Sequence, residues 1–169
     1  MKSESARVTT AEQSRFRIND PNAKPRVIKV IALDEPSERV VERLAQSAWN
    51  HASFLSASAF SALRKDNNFS MTGWLSDLAG RTKDLVDEIK TADLVVMIAS
   101  AGENAQAASI IGEACSLRRI TTTALIMGSG SVSDDALSRT LAQLRPWALM
   151  LVIANTDEYI DDMLTALRA

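Results

Sequence analysis

The feature that most constrains this chain is the alternation of two kinds of segment. Apolar runs rich in β-branched residues, RVIKVIAL from Arg26 to Leu33, DLVVMIA from Asp93 to Ala99, ITTTALIM from Ile120 to Met127 and WALMLVIA from Trp147 to Ala154, are too short for buried helices and suit strands covered on both faces. Between them, apolar residues recur at helical spacing. Pro36 and Ser37 open one such segment, with Val40, Val41, Leu44, Ala45 and Ala48 on a stripe toward Trp49. Leu85, Val86 and Ile89 stripe Arg81 to Thr91, and Ala107, Ile110, Ile111, Ala114, Cys115 and Leu117 stripe Gln106 to Arg118. Ala136, Leu137, Leu141 and Leu144 follow, stopped near Pro146, and Ile160, Met163, Leu164 and Leu167 close the series. Strands alternating with amphipathic helices through short loops imply an α/β fold, a three-layer Rossmann-like domain with a mostly parallel sheet between helix layers. The stretch from His51 to Gly80 is less regular: His51 to Leu55 reads as a brief strand, Ala57 to Lys65 as a helical turn or two, and Asp66-Asn67-Asn68 as an interruption, without a strand order.

At 169 residues the chain is long enough for one ordinary domain with a substantial core, and residues 26–169 are expected to form it. Residues 1–25 are polar and mixed in charge, contain Pro21 and Pro25, and read as a flexible arm on which Phe16 and Ile18 could dock against a neighbour. With 19 basic and 21 acidic residues, a net charge of -2, the chain lacks the clustered cationic charge by which nucleic acid is held, so no nucleic acid is expected among its partners. One cysteine forms no internal disulfide, and one His with one Cys falls short of the usual zinc ligand set. No metal is expected. No apolar run has the length of a signal peptide core or a membrane span, which leads to the expectation of a cytoplasmic protein with no membrane partner.

In folds of this class, ligands bind beyond the carboxyl ends of the strands, where loops meet helix N-termini. That rule selects the loops Asp34 to Ser37, Ser100 to Gln106, Gly128 to Ser133 and Asn155 to Asp157. A ligand there would be lined by Ser100, Gly102, Glu103, Asn104, Gly128, Gly130, Arg139 and Asn155: loop amides and hydroxyls as donors, Arg139 as an anion partner, and Asn155 reading a polar ring edge. Gly128-Ser129-Gly130-Ser131-Val132-Ser133 has a GxGxxS spacing between strand and helix, but its third Gly is missing, and Asn155 stands where an acidic ribose partner would follow. A Ser-rich helix-start turn accounts for it equally well.

The order of these pieces resembles the nucleotide-binding half of the cell-division GTPase FtsZ and its tubulin relatives. IKVIALDEPSERVVERL looks like that family's first strand, loop and helix; ADLVVMIASAGENAQAASIIGEACSLRRITTTALIMG looks like the strand, phosphate loop, helix and strand that follow; LRPWALMLVIANTDEYI is similar to the last strand of that half. Asp135 and Arg139 keep an acidic-x-x-x-Arg spacing that the family uses near the ribose, and Asn155 matches an Asn that contacts guanine. The departures are the two phosphate loops. Where the family carries glycines that let backbone N–H groups close around phosphates, this chain has LDEPSE and a loop that keeps only Gly102. Asp34, Glu35 and Glu103 would instead bring negative charge to the site. The second domain whose acidic loop activates water in the neighbouring subunit has no counterpart here, so family-type hydrolysis is not expected.

The remaining singular residues have ordinary readings. His51 has no nucleophile motif beside it. Cys115, on an apolar helix face, is expected to be a buried, inert thiol, and Trp49, Trp74 and Trp147 to be core or interface anchors. Asp134-Asp135 and Asp161-Asp162 sit near helix starts and Arg118-Arg119 at a helix end, as the helix dipole favours. The sequence therefore leads to a noncatalytic FtsZ-like or Rossmann-like domain that has lost family-type GTP binding, needs no cofactor, and works through a protein partner or as a homo-oligomer. The alternative is a small-molecule or nucleotide-binding protein, or an enzyme, using the strand-end crevice.

Overall fold

The computed structural model describes residues 26–59, 75–155 and 158–167. Its strands are β1 (Ile28–Ala32), β2 (Ala52–Ser56), β3 (Leu75–Asp77), β4 (Thr82–Lys83), β5 (Leu94–Ser100), β6 (Thr121–Met127) and β7 (Met150–Ala154). Its helices are α1 (Glu35–Leu44), α2 (Leu85–Lys90), α3 (Ala107–Leu117), α4 (Asp134–Leu144) and α5 (Glu158–Ala166). The strands form one seven-stranded sheet in the order β4-β3-β2-β1-β5-β6-β7. β2, β1, β5, β6 and β7 run parallel, whereas β3 is antiparallel to β2 and β4 to β3. Leaving out β4, the order is the 3-2-1-4-5-6 of doubly wound sheets, except that β3 is reversed. This is an α/β Rossmann-like domain.

Two cores cover the sheet, and the pleat of each strand divides its residues between them. On one face Ile31, Val95, Met97, Ala124 and Ile126 pack with Leu85 and Ile89 of α2, Ile111 and Cys115 of α3, and Leu144 of α4. On the other, Val30, Val96, Ile98 and Leu125 pack with Val41 and Leu44 of α1 and with Ile160 and Leu164 of α5. β1 is buried along its whole length and β5 at every residue but the last, which explains why both read as apolar runs without alternation. At about 1.5 to 3 kcal/mol per buried large aliphatic side chain, these central strands supply much of the drive to fold.

Element ends depart from the periodicity in physical ways. α1 stops at Leu44 rather than running to Trp49, and the indole of Trp49 folds back to donate to the Leu44 carbonyl at 2.6 Å, occupying one of the acceptors a helix end leaves open. α2 starts only at Leu85, because Thr82 and Lys83 pair with β3 and Asp84 caps the helix through the N–H groups of Val86 and Asp87. Trp147 lies in a 3-10 turn before β7, which begins at Met150. The helical turn expected over Ala57 to Lys65 lies largely outside the described residues, as do the arm 1–25 and Trp74; Ala57 to Ala59 are not helical.

Within the described residues no helix is long and apolar enough to cross a membrane. Cys115 is buried as expected, and burial pushes its thiol up to about 12. His51 is exposed.

Candidate functional site

β1 leads by one crossover to β2 on its one side, and the chain later returns to place β5 on its other side. That reversal makes the gap above the carboxyl ends of β1 and β5 the switch point at which doubly wound folds bind ligands. Into it projects a carboxylate of the chain itself. Asp34, directly after β1, is 7% exposed. Its Oδ1 accepts from the N–H of Ser37 at 2.8 Å and from the hydroxyl of Ser100 at 2.9 Å, while Oδ2 accepts from the N–H of Ser100 at 2.7 Å. Local sequence dictates the first contact: Asp-Glu-Pro-Ser is an N-cap with Pro in the first turn, and the Ser37 hydroxyl completes a capping box by accepting from the Asp34 N–H at 3.1 Å. The remaining contacts tie that cap to the end of β5.

The loop after β5 is pinned along almost its whole length. Ala101 N–H donates to the Met127 carbonyl at 2.8 Å, Gly102 N–H to the Thr140 hydroxyl at 3.0 Å, and Glu103 N–H to the Ser100 carbonyl at 3.1 Å. Ala105 N–H donates to Gln143 Oε1 at 2.7 Å, and Gln106 N–H to Asn104 Oδ1 at 2.9 Å. Phosphate loops work because successive N–H groups point unpartnered into a concavity. In this loop those groups are committed to β6, to α4 and to the loop itself. Gly102 is required for its backbone, with φ +87°, rather than for space: a Cβ there would make ordinary contacts of 3.5 and 3.6 Å with Val132 and Ala136.

The eight residues expected to line a site are thus placed differently from one another. Ser100 is held by Asp34, Gly102 by Thr140, and the Asn104 side chain closes the turn into α3. Glu103 is exposed. Gly128, φ +70°, turns the chain after β6 into a 3-10 turn over Ser129–Ser131, and Gly130 has open space around it. Asn155, beyond β7, accepts from the Ser129 hydroxyl at 2.8 Å, joining the last two loops. Arg139 is exposed on α4, next to the Thr140 that holds Gly102, and with Asp135, Ser138 and Ala142 lines an open depression of about 580 Å³. Of the three carboxylates expected to bring negative charge, only Asp34 enters the crevice, whereas Glu35 is exposed and pairs with Arg39 at 2.9 Å.

Sequence reasoning missed Thr140 and Gln143, the α4 side chains that hold the β5 loop. The signal was present: Thr140 stands in the apolar stripe of Leu137, Leu141 and Leu144, and a polar residue that is 1% exposed must satisfy its hydroxyl locally. Its Oγ1 accepts from Gly102 and donates to the Glu103 carbonyl at 3.1 Å. A second network stands beside Asp34, where the Ser58 hydroxyl donates to Glu38 Oε2 at 2.6 Å and accepts from the Ser56 hydroxyl at 2.9 Å, fastening the end of β2 to α1. Among the described residues, no three His, Cys, Asp or Glu side chains cluster as a metal site would require.

No protein-family model matches the chain, and no curated protein matches it. Among solved structures it is similar to translation elongation factor SelB from Methanococcus maripaludis in its apo form, with 8% identity, a TM-score of 0.47, and coverage of 84% of this chain. The chain spans 36% of the length of that structure.

Proposed function

We propose that this chain is a noncatalytic domain of FtsZ-like or Rossmann-like type that has lost family-type GTP binding and works through protein interaction or self-assembly. The observation that carries the reading is the Asp34 carboxylate seated in the switch point, where it accepts from Ser37 and Ser100 in the manner of a bound anion. A nucleotide phosphate entering there would meet a like charge and would have to displace these hydrogen bonds. The committed N–H groups of the loop after β5 support the same reading. The FtsZ-like part rests on the order of the strands, loops and helices from Ile28 to Ile160.

A second reading, binding of a small molecule beyond the strand ends, is favoured by one feature. The turn after β6 has Gly130 in open space and its Ser129 hydroxyl linked to Asn155 beyond β7.

Thermal unfolding of the full chain with GTP, ATP, NAD, flavins and coenzyme A separates the two. The first reading expects no saturable stabilisation, and light scattering across a concentration series that shows species heavier than the monomer. A ligand present at a hundred times its dissociation constant stabilises by about 2.7 kcal/mol, so saturable stabilisation by any of these compounds overturns the first reading in favour of the second.

A further inference from the structure

The two ends of the sheet are unlike. β4 is two residues long, Thr82 and Lys83, and so has the brevity and the lysine that keep an edge from pairing with another chain. β7, at the other end, is five residues of Met, Leu, Val, Ile and Ala. From Trp147 to Ala154 there is no charge, no proline and no glycine. Leu149, just before β7, is 82% exposed, Met150 42% and Ile153 45%. Among the described residues nothing pairs with the outer side of this strand.

The backbone of that edge has a definite phase. Leu149 N–H donates inward to the Thr122 carbonyl at 2.9 Å, and N–H and C=O directions alternate along a strand, so Met150, Val152 and Ala154 turn both groups away from β6. Such a row, open among the described residues, is a ready template for an extended partner.

We propose that this partner is a second copy of the chain: two β7 strands pair antiparallel about a twofold axis at Val152, joining two seven-stranded sheets into one. The inference rests on the self-assembly reading above and names its surface. The strand is self-complementary. Val152 faces its own copy, Met150 faces Ala154 of the other chain, and each of these pairs exchanges two backbone hydrogen bonds. The large Met150 side chain lies beside a small one, and on the opposite face Ile153 lies beside Leu151 of the copy. The absence of charge lets the strand meet itself without the like-charge opposition that destabilises paired strands.

The test uses the full-length chain. A hydrogen-bonded antiparallel pair sets its Cα atoms about 5.5 Å apart, within disulfide range. Val152→Cys is therefore expected to form an interchain disulfide under mild oxidation, whereas Ile153→Cys, exposed but off the axis, is not. Cys115 is buried and does not compete. Val152→Pro removes an N–H that β6 does not use, at an edge position where proline is tolerated, and should weaken dimerisation measured by light scattering by roughly ten- to a hundredfold with an unchanged circular dichroism spectrum. If that variant fails to fold, Met150→Lys, at an exposed edge position, is expected to have the same effect. A dimer that persists in the folded variants, with no disulfide at position 152, overturns the edge pairing and leaves self-assembly to another surface. A native chain that stays monomeric at every concentration overturns both.

Discussion

The carboxylate of Asp34 accepts hydrogen bonds from both the backbone N–H and the hydroxyl of Ser100, at 2.7 and 2.9 Å, across the point where the strand order reverses. One side chain thereby caps α1 and joins the end of β1 to the end of β5. Removing it breaks a helix cap, typically worth about 1 kcal/mol, and leaves two donors at Ser100 without their acceptor.

Asp34→Ala is therefore expected to lower unfolding stability by roughly 2 to 4 kcal/mol, and Asp34→Asn by less, since one acceptor oxygen remains. Urea titration reads both. If the carboxylate stands in an anion's place, phosphate should stabilise Asp34→Ala by more than it stabilises the native chain. An equal effect on the two proteins would reduce to the general exclusion of such salts from protein surfaces.

Thr140 holds the loop after β5 from the side of α4, with its hydroxyl 3.0 Å from the Gly102 nitrogen. Valine has nearly the same shape but no acceptor, so Thr140→Val strands the Gly102 N–H at a cost of about 1 to 3 kcal/mol. Amide hydrogen exchange should report the loss locally, with Gly102 exchanging faster while β5 stays protected. Unchanged protection at Gly102 would mean that the loop holds without α4.

How much of this was legible beforehand follows from how local each determinant is. The buried strands β1, β5 and β6 and the striped helices α3 and α4 announce themselves because burial on two faces, or on one stripe, leaves a periodic record in composition. The hairpin of β3 and β4 leaves none, since Leu75–Asp77 and Thr82–Lys83 are too short for a period and hold together through pairing with β2. The candidate loops were likewise readable, because strand ends fix them. Asp34 was legible as negative charge at a strand end but not as the cap of α1 or the partner of Ser100, since Ser100 is distant in sequence and adjacent only after β1 and β5 pair. Arg139 and Asp135, whose spacing suggested a site, stand exposed on α4 along one open depression, because Leu137, Thr140, Leu141 and Leu144 claim the inner side.

Gly112, in the middle of α3, costs helix propensity and is explained by its neighbour. A Cβ at this position would sit 2.5 Å from Trp147 Cβ and 2.9 Å from its Cγ and Cε3. Gly112→Ala should therefore destabilise by about 1 to 3 kcal/mol, although alanine is the better helix former by roughly 1 kcal/mol. A shifted tryptophan emission maximum should accompany the loss. Stabilisation by the substitution would show that Trp147 can withdraw.

Lys29 is a buried cation on β1, 2.8 Å from Glu88 of α2 and 3.3 Å from the Ser53 hydroxyl. Such pairs contribute little net stability but are costly to break halfway. Glu88→Ala is expected to cost about 2 to 4 kcal/mol, somewhat below the full burial figure because the carboxylate keeps some solvent access, while Lys29→Met together with Glu88→Leu should come out near neutral. Comparing the single and double variants in urea separates the two effects. Equal losses in both would make the pair itself a source of stability.

Cys115 gives a pH dependence whose sign follows from burial. Desolvation by α3 and the sheet lifts the thiol from about 9 to about 12, against a smaller opposing pull from Arg118. Well below pH 9 the thiol is protonated whether the chain is folded or not, and its contribution to stability is intact. Between 9 and 12 the unfolded chain releases the proton while the native one retains it, so the unfolded state binds fewer protons and stability falls as pH rises. Cys115→Ala should be less stable at neutral pH, since it leaves a small void, but should lose this part of the alkaline slope. Thiol-reactive reagents at pH 8 should label the native chain only at the rate at which it opens, so fast labelling without denaturant would place the thiol at the surface.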